Sequence, residues 1–172
     1  MKSNNRAFFK YLAYALEVVL LAVLQSTPKL LPEIFGSKPF LLLALALSIT
    51  AFEDFIPSII FAAVCGTVSD LNSSGAVGYF AIAFTVACAA VHYFSGTYLN
   101  NTLFTFIITS AAAVLPVLGF FFVIFRAIGG GEGIWTLFFG HYILRMVLTL
   151  LSAVILYVIN GFIHRSFTGK SF

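Results

Sequence analysis

The chain has 172 residues, of which 61% are hydrophobic and only 9% charged, where soluble globular domains carry about 25% charged residues. No soluble core hides this much apolar surface, so the excess faces lipid, and a water-soluble domain of any size is excluded. The formal net charge of +3 comes from nine basic and six acidic residues, several of the basic ones near the termini, which is a pattern of membrane topology rather than of nucleic-acid binding.

A hydrocarbon core of about 30 Å takes roughly 20 helical residues. On that measure six apolar segments follow one another: Phe8–Leu24, Pro39–Phe52, Phe55–Ser69, Val77–Phe94, Leu103–Ile128 and Ile134–Ile163. The first is preceded by Lys2, Arg6 and Lys10, as a signal peptide would be. It is long for an h-region, however, and Gln25–Lys29 offers no small-x-small cleavage site, so it reads as a retained helix. The Gln25–Lys38 connection, with Pro28, Pro32 and Gly36, reads as a structured outer loop. The second and third segments are short, and only Glu53 and Asp54 separate them; they read as a tight helical hairpin, with a re-entrant pair as the alternative. Pro116 and Gly119 in the long fifth segment predict a kink or a tilt. The run "GGGEG", Gly129–Gly133, follows no strand and lacks a Lys-Ser/Thr, so it is an outer turn and not a phosphate loop.

The expected architecture is all-α: a polytopic membrane protein, residues 1–172 forming one compact bundle of six transmembrane helices. Lys2, Arg6 and Lys10 flank the first segment and Arg165 and Lys170 follow the last, while Lys29, Lys38 and Arg126 fall in the opposite loops. This bias places both termini in the cytoplasm. Small residues, among them Gly66, Ala83, Ala87 and Ala111–Ala113, are frequent in the middle segments and let backbones approach closely. Intramolecular packing is the first reading of them, and a docking face for another membrane protein the second. Cys65 and Cys88 lie inside apolar runs and read as small packing residues, with neither a metal site nor a disulfide framework suggested.

Ionisable groups inside the membrane carry the functional question. Glu17 sits midway along the first segment, and Asp70 closes the third, one turn after Gly66. His141 and Arg145 are spaced i, i+4 and share a face of the sixth segment. The topology puts Asp70, His141 and Arg145 toward the same side. Asp70 is therefore expected either to pair with Arg145 or His141, or to cap a helix start. Ser69, Ser73 and Ser74 have no His with an orienting acid beside them. Adjacent Glu53 and Asp54 do not face each other as an acid/base pair, and His92 and His164 read as interfacial. No catalytic set or cofactor is indicated, so the expected class is non-enzymatic.

Two stretches, "KPFLLLALALSI" and "GTVSDLNSSGAVGYFAI", give the chain a family resemblance. It resembles the MreD family of bacterial rod shape-determining membrane proteins in length, in number of spans and in a Gly-x-x-x-Asp-Leu…Gly-x-x-Gly signature. The matching residues are Pro39, Gly66, Asp70, Leu71, Gly75 and Gly78. The likeness extends weakly to the sixth segment and its basic tail. The family often has Asp after the helix-starting Pro, where this chain has Phe40, so no acid role carries over to that position. The resemblance implies a scaffold in the bacterial cytoplasmic (inner) membrane that binds MreC, with MreB and peptidoglycan-synthesis enzymes in the wider elongation complex. It also implies a fold similar to the substrate-binding subunits of energy-coupling-factor vitamin transporters. A subunit of such a transporter is the alternative function, although the first segment lacks the Ala-x-x-x-Ala that commonly docks those subunits to their partner. Gly66, Asp70, Gly75, Gly78, His141 and Arg145 are the candidate structural or partner-contact residues.

Overall fold

The structure, a computed structural model, describes residues 2–27, 39–72, 78–98, 103–122 and 142–168. Six helices make it up: α1 (Lys2–Ser26), α2 (Leu41–Thr50), α3 (Phe55–Asn72), α4 (Tyr79–Tyr98), α5 (Leu103–Phe122) and α6 (Ile143–Thr168). No strand occurs among the described residues. The Pro-rich connection after Thr27, Gly75, the "GGGEG" run and His141 lie outside the described residues.

Four helices, α1, α3, α5 and α6, are long and apolar enough to cross a membrane. The chain is thus a helical membrane protein. The fourth segment is a shorter apolar helix on this measure, and α2 has only ten residues. At 1.5 Å per residue α2 rises about 15 Å, half of a hydrocarbon core. It differs from the expected span in another way too, since all ten of its residues are buried in protein. It packs against α1, α3, α4 and α6, and the outer helices neighbour one another in the order α1, α3, α4, α5, α6 and back to α1. Among the described residues the bundle is a ring of five helices around a short central one.

A helix buried inside a membrane has no water for its end groups, so side chains must supply the partners. At the start of α2 the Phe40 N–H donates to Thr149 Oγ1 of α6 at 3.1 Å, and the Leu42 N–H to Gln25 Oε1 of α1 at 3.2 Å. At its end the Ser48 and Thr50 hydroxyls donate back to the Leu45 and Ala46 carbonyls. The chain then turns through Ala51–Asp54 directly into α3, and the Phe52 and Glu53 N–H groups close the turn on the Ile49 carbonyl.

The outer helices sort their side chains with helical period. On α1, Tyr14, Val18 and Leu21 are buried, while Leu16, Val19, Leu20 and Val23 are exposed and face lipid. On α6, Met146, Thr149, Ala153, Leu156 and Asn160 form the inner stripe. α5 runs unbroken past Pro116. Cys65 and Cys88 are free thiols buried in the core.

Candidate functional site

The Gly66–Asp70 signature sits where α3 crosses the start of α4. A Cβ on Gly66 would stand 2.5 Å from both the Ala81 Cα and the Phe80 carbonyl oxygen, so only glycine permits this crossing. One turn later the Asp70 carboxylate accepts from the Phe80 N–H at 2.9 Å through Oδ1 and from the Ala81 N–H at 3.1 Å through Oδ2. These amides belong to the first turn of α4 and have no carbonyl partner within their own helix. The negative charge also meets the positive end of the helix dipole. Gly78, just before α4, has φ +95, a left-handed value that suits glycine. Glycine, aspartate and glycine thus hold one helix–helix junction together.

Arg145 does not complete this junction. Its guanidinium lies over the Phe40 ring, 4.2 Å from the centroid, and no ion pair joins it to Asp70 among the described residues. Phe40 in turn packs on Phe80, ring centroids 5.0 Å apart, and on Phe84. Asp70 thus forms the helix cap and Arg145 is a cation laid on an aromatic cluster, while the alternative partner His141 lies outside the described residues.

A second polar site lies at the opposite end of the bundle, and its partners are far apart in sequence. Glu53, in the turn between α2 and α3, has only 3% of its side chain exposed. Its Oε2 accepts from Lys10 Nζ at 2.8 Å, and its Oε1 from the Tyr14 hydroxyl at 3.0 Å. His164 Nδ1 lies 3.2 Å from the same Oε1. α1, the α2–α3 turn and α6 therefore converge on one carboxylate, while Asp54 beside it is exposed. His164, expected at the interface, also stacks near Phe52, and Gly161 lets that ring approach α6. Deeper along the same seam lie Glu17, Ser48 and Asn160. Asn160 Nδ2 donates to Ser48 Oγ at 2.7 Å.

Among the described residues no three of His, Cys, Asp and Glu gather as a metal site. An apolar groove of about 950 Å³ runs between α4 and α5. Small residues such as Ala87, Ala90 and Ala112 share its lining with larger apolar ones such as Ile82, Val86 and Ile108, and with the aromatic Tyr79, Phe94 and Phe120. Tyr79 is fixed there by donating its hydroxyl to the Val117 carbonyl at 3.1 Å.

Tyr14, Ser48 and Asn160 were not singled out by sequence reasoning. Two signals were available for the Glu53 site: a lysine and a tyrosine four residues apart on α1, and an acid in the short turn between α2 and α3. Comparison with protein-family models, with curated proteins and with solved structures gives no match for this chain.

Proposed function

We propose that the protein is a non-enzymatic scaffold of the bacterial cell-elongation machinery, of the MreD type, that binds MreC. Through MreC, and with MreB and the peptidoglycan-synthesis enzymes in the wider complex, it helps to control lateral wall synthesis and rod shape. It works in the cytoplasmic membrane with both termini in the cytoplasm. The observation that carries this reading is the apolar groove between α4 and α5, lined by alanines and Gly119 together with larger aliphatic and aromatic side chains. In lipid, helices associate through close backbone approach and dispersion contacts rather than through a hydrophobic effect. A groove of this kind suits a membrane-spanning segment of a partner. The Asp70 and Glu53 carboxylates both tie helices of the bundle to one another, which supports an architectural role.

Co-purification from membranes in mild detergent tests this reading, together with depletion in a rod-shaped host. Recovery of MreC and rounding of depleted cells are the expected results. Recovery with a bound vitamin or an ATPase module, or unchanged shape and wall-label pattern after depletion, would overturn it in favour of the transporter class or neither.

A further inference from the structure

Two helices begin at the end of the bundle that holds Asp70, and they are capped differently. The first-turn amides of α4 receive a charged carboxylate, that of Asp70. Among the described residues the start of α2 receives neutral oxygens instead, Thr149 Oγ1 on the Phe40 N–H and Gln25 Oε1 on the Leu42 N–H. No acid stands in the first turn of α2. The positive end of its dipole is thus left without a negative charge, inside protein where charge is little screened.

A full positive charge is added at the same place. The Arg145 guanidinium carbon stands 4.2 Å from the centroid of the Phe40 ring, and Phe40 is the residue that caps α2. Arg145 Nε is enclosed and has no hydrogen-bond partner, while the residue as a whole is partly exposed. Among the described residues no acid neutralises it. Glu53 and Asp54 belong to the other end of the bundle, and Glu17 stands two turns before Gln25 on α1, about 12 Å along the axis. Asp70 spends its two carboxylate oxygens on α4 and forms no ion pair with Arg145. Such an unpaired charge is costly within a membrane bundle, and an anion from outside relieves it.

The level of Arg145 in the membrane points to the kind of anion. The apolar span Ile143–Ser166 of α6 has 24 residues, about 36 Å of helix against a hydrocarbon core of about 30 Å. Arg145 is the third residue of that span, at the level of the headgroup phosphates. A guanidinium is matched to phosphate oxygens by its planar fork of donors, and here the Phe40 ring backs that plane.

We propose that Arg145 and the start of α2 form a binding site for a phosphate group, with Arg145 as the donor and a phospholipid headgroup as the source. This inference does not rest on the scaffold reading.

Native mass spectrometry of the full chain released from detergent micelles tests it, with phosphatidylglycerol or diacylglycerol of the same acyl chains added. The two lipids differ by the phosphate-bearing headgroup. The wild type is expected to hold phosphatidylglycerol about tenfold more tightly than diacylglycerol. R145Q loses most of that preference. R145K keeps part of it, since an ammonium binds phosphate as a point charge without the fork. R165Q, at the other end of α6, keeps all of it. Equal retention of the two lipids by the wild type overturns the proposal whatever the variants do, and so does an undiminished preference in R145Q. In a second arm, displacement of the lipid by an equal concentration of inorganic phosphate overturns the headgroup as the source in favour of the free ion. An R145Q protein that keeps the lipid preference but loses a co-purified protein overturns the proposal in favour of an acidic group on that partner.

Discussion

Asp70 bonds two amides of another helix through its two carboxylate oxygens, and its removal acts on that helix rather than on its own. Loss of a capping acid costs about 0.5–2 kcal/mol, and burial of the freed amides places Asp70→Ala at the upper end of that range. Thermal or denaturant unfolding in detergent measures it, and Asp70→Asn is expected to retain part of the effect through its remaining carbonyl oxygen. Gly66 makes a sharper case. The atoms that a new Cβ would meet are backbone, which cannot rotate away. Gly66→Ala is expected to cost about 1–3 kcal/mol as overpacking that forces α3 and α4 apart, whereas Gly119→Ala, where a Cβ meets nothing within 4 Å, is expected to leave stability unchanged within about 0.5 kcal/mol. At the other end, Glu53→Ala leaves the Lys10 ammonium without its carboxylate partner. Breaking a buried ion pair on one side costs about 3–5 kcal/mol. The Lys10→Met, Glu53→Leu double change is expected to cost less than Glu53→Ala alone, and a double-mutant cycle reads the difference.

The helices themselves were largely legible in the sequence, because runs of apolar residues near the length of a bilayer core admit few other readings. The six segments all correspond to helices, and the Glu53–Asp54 break marks the turn between α2 and α3. The character of α2 was not legible. "LLLALALSIT" is apolar on every side, a pattern that a lipid-facing span and a helix enclosed by protein share, so periodicity cannot separate them. What decides is the capping by Gln25 and Thr149, acceptors that lie 17 and 109 residues away from the amides they receive. The Glu53 site was missed for the same reason, its partners standing 39, 43 and 111 residues distant. Enclosure of α2 has a direct consequence for packing. Leu45→Ala is expected to cost about 2–5 kcal/mol as a cavity in the core. Ile60→Ala on the lipid face of α3, where Ile60 is 57% exposed, is expected to fall within about 0.5 kcal/mol of wild type.

At the scale of the molecule, Lys10 of α1 and His164 of α6 meet on one carboxylate, so the early part of α1 and the late part of α6 lie at the same end of the bundle. Asp54 belongs to that end, and Leu71, 82% exposed, to the other. With Cys65 and Cys88 buried, single cysteines at Asp54 and Ser166 are expected to react with an impermeant thiol reagent from the same face of the membrane. A cysteine at Leu71 is expected to react from the opposite face. On the proposed orientation, with both termini in the cytoplasm, the first of these faces is the cytoplasmic one. Between α4 and α5 the ring of outer helices leaves a wide apolar groove. On the function proposed above, this groove receives a membrane segment of MreC. Ala90 and Ala112 line the groove and are exposed, so larger side chains there fill it without entering the core. The most direct measurement is the yield of MreC co-purified with Ala90→Trp and Ala112→Trp, each checked for a wild-type unfolding temperature. At least a tenfold fall in recovered MreC, matching a loss of about 1.4 kcal/mol or more, is the predicted result, and wild-type recovery with both variants folded would contradict the account.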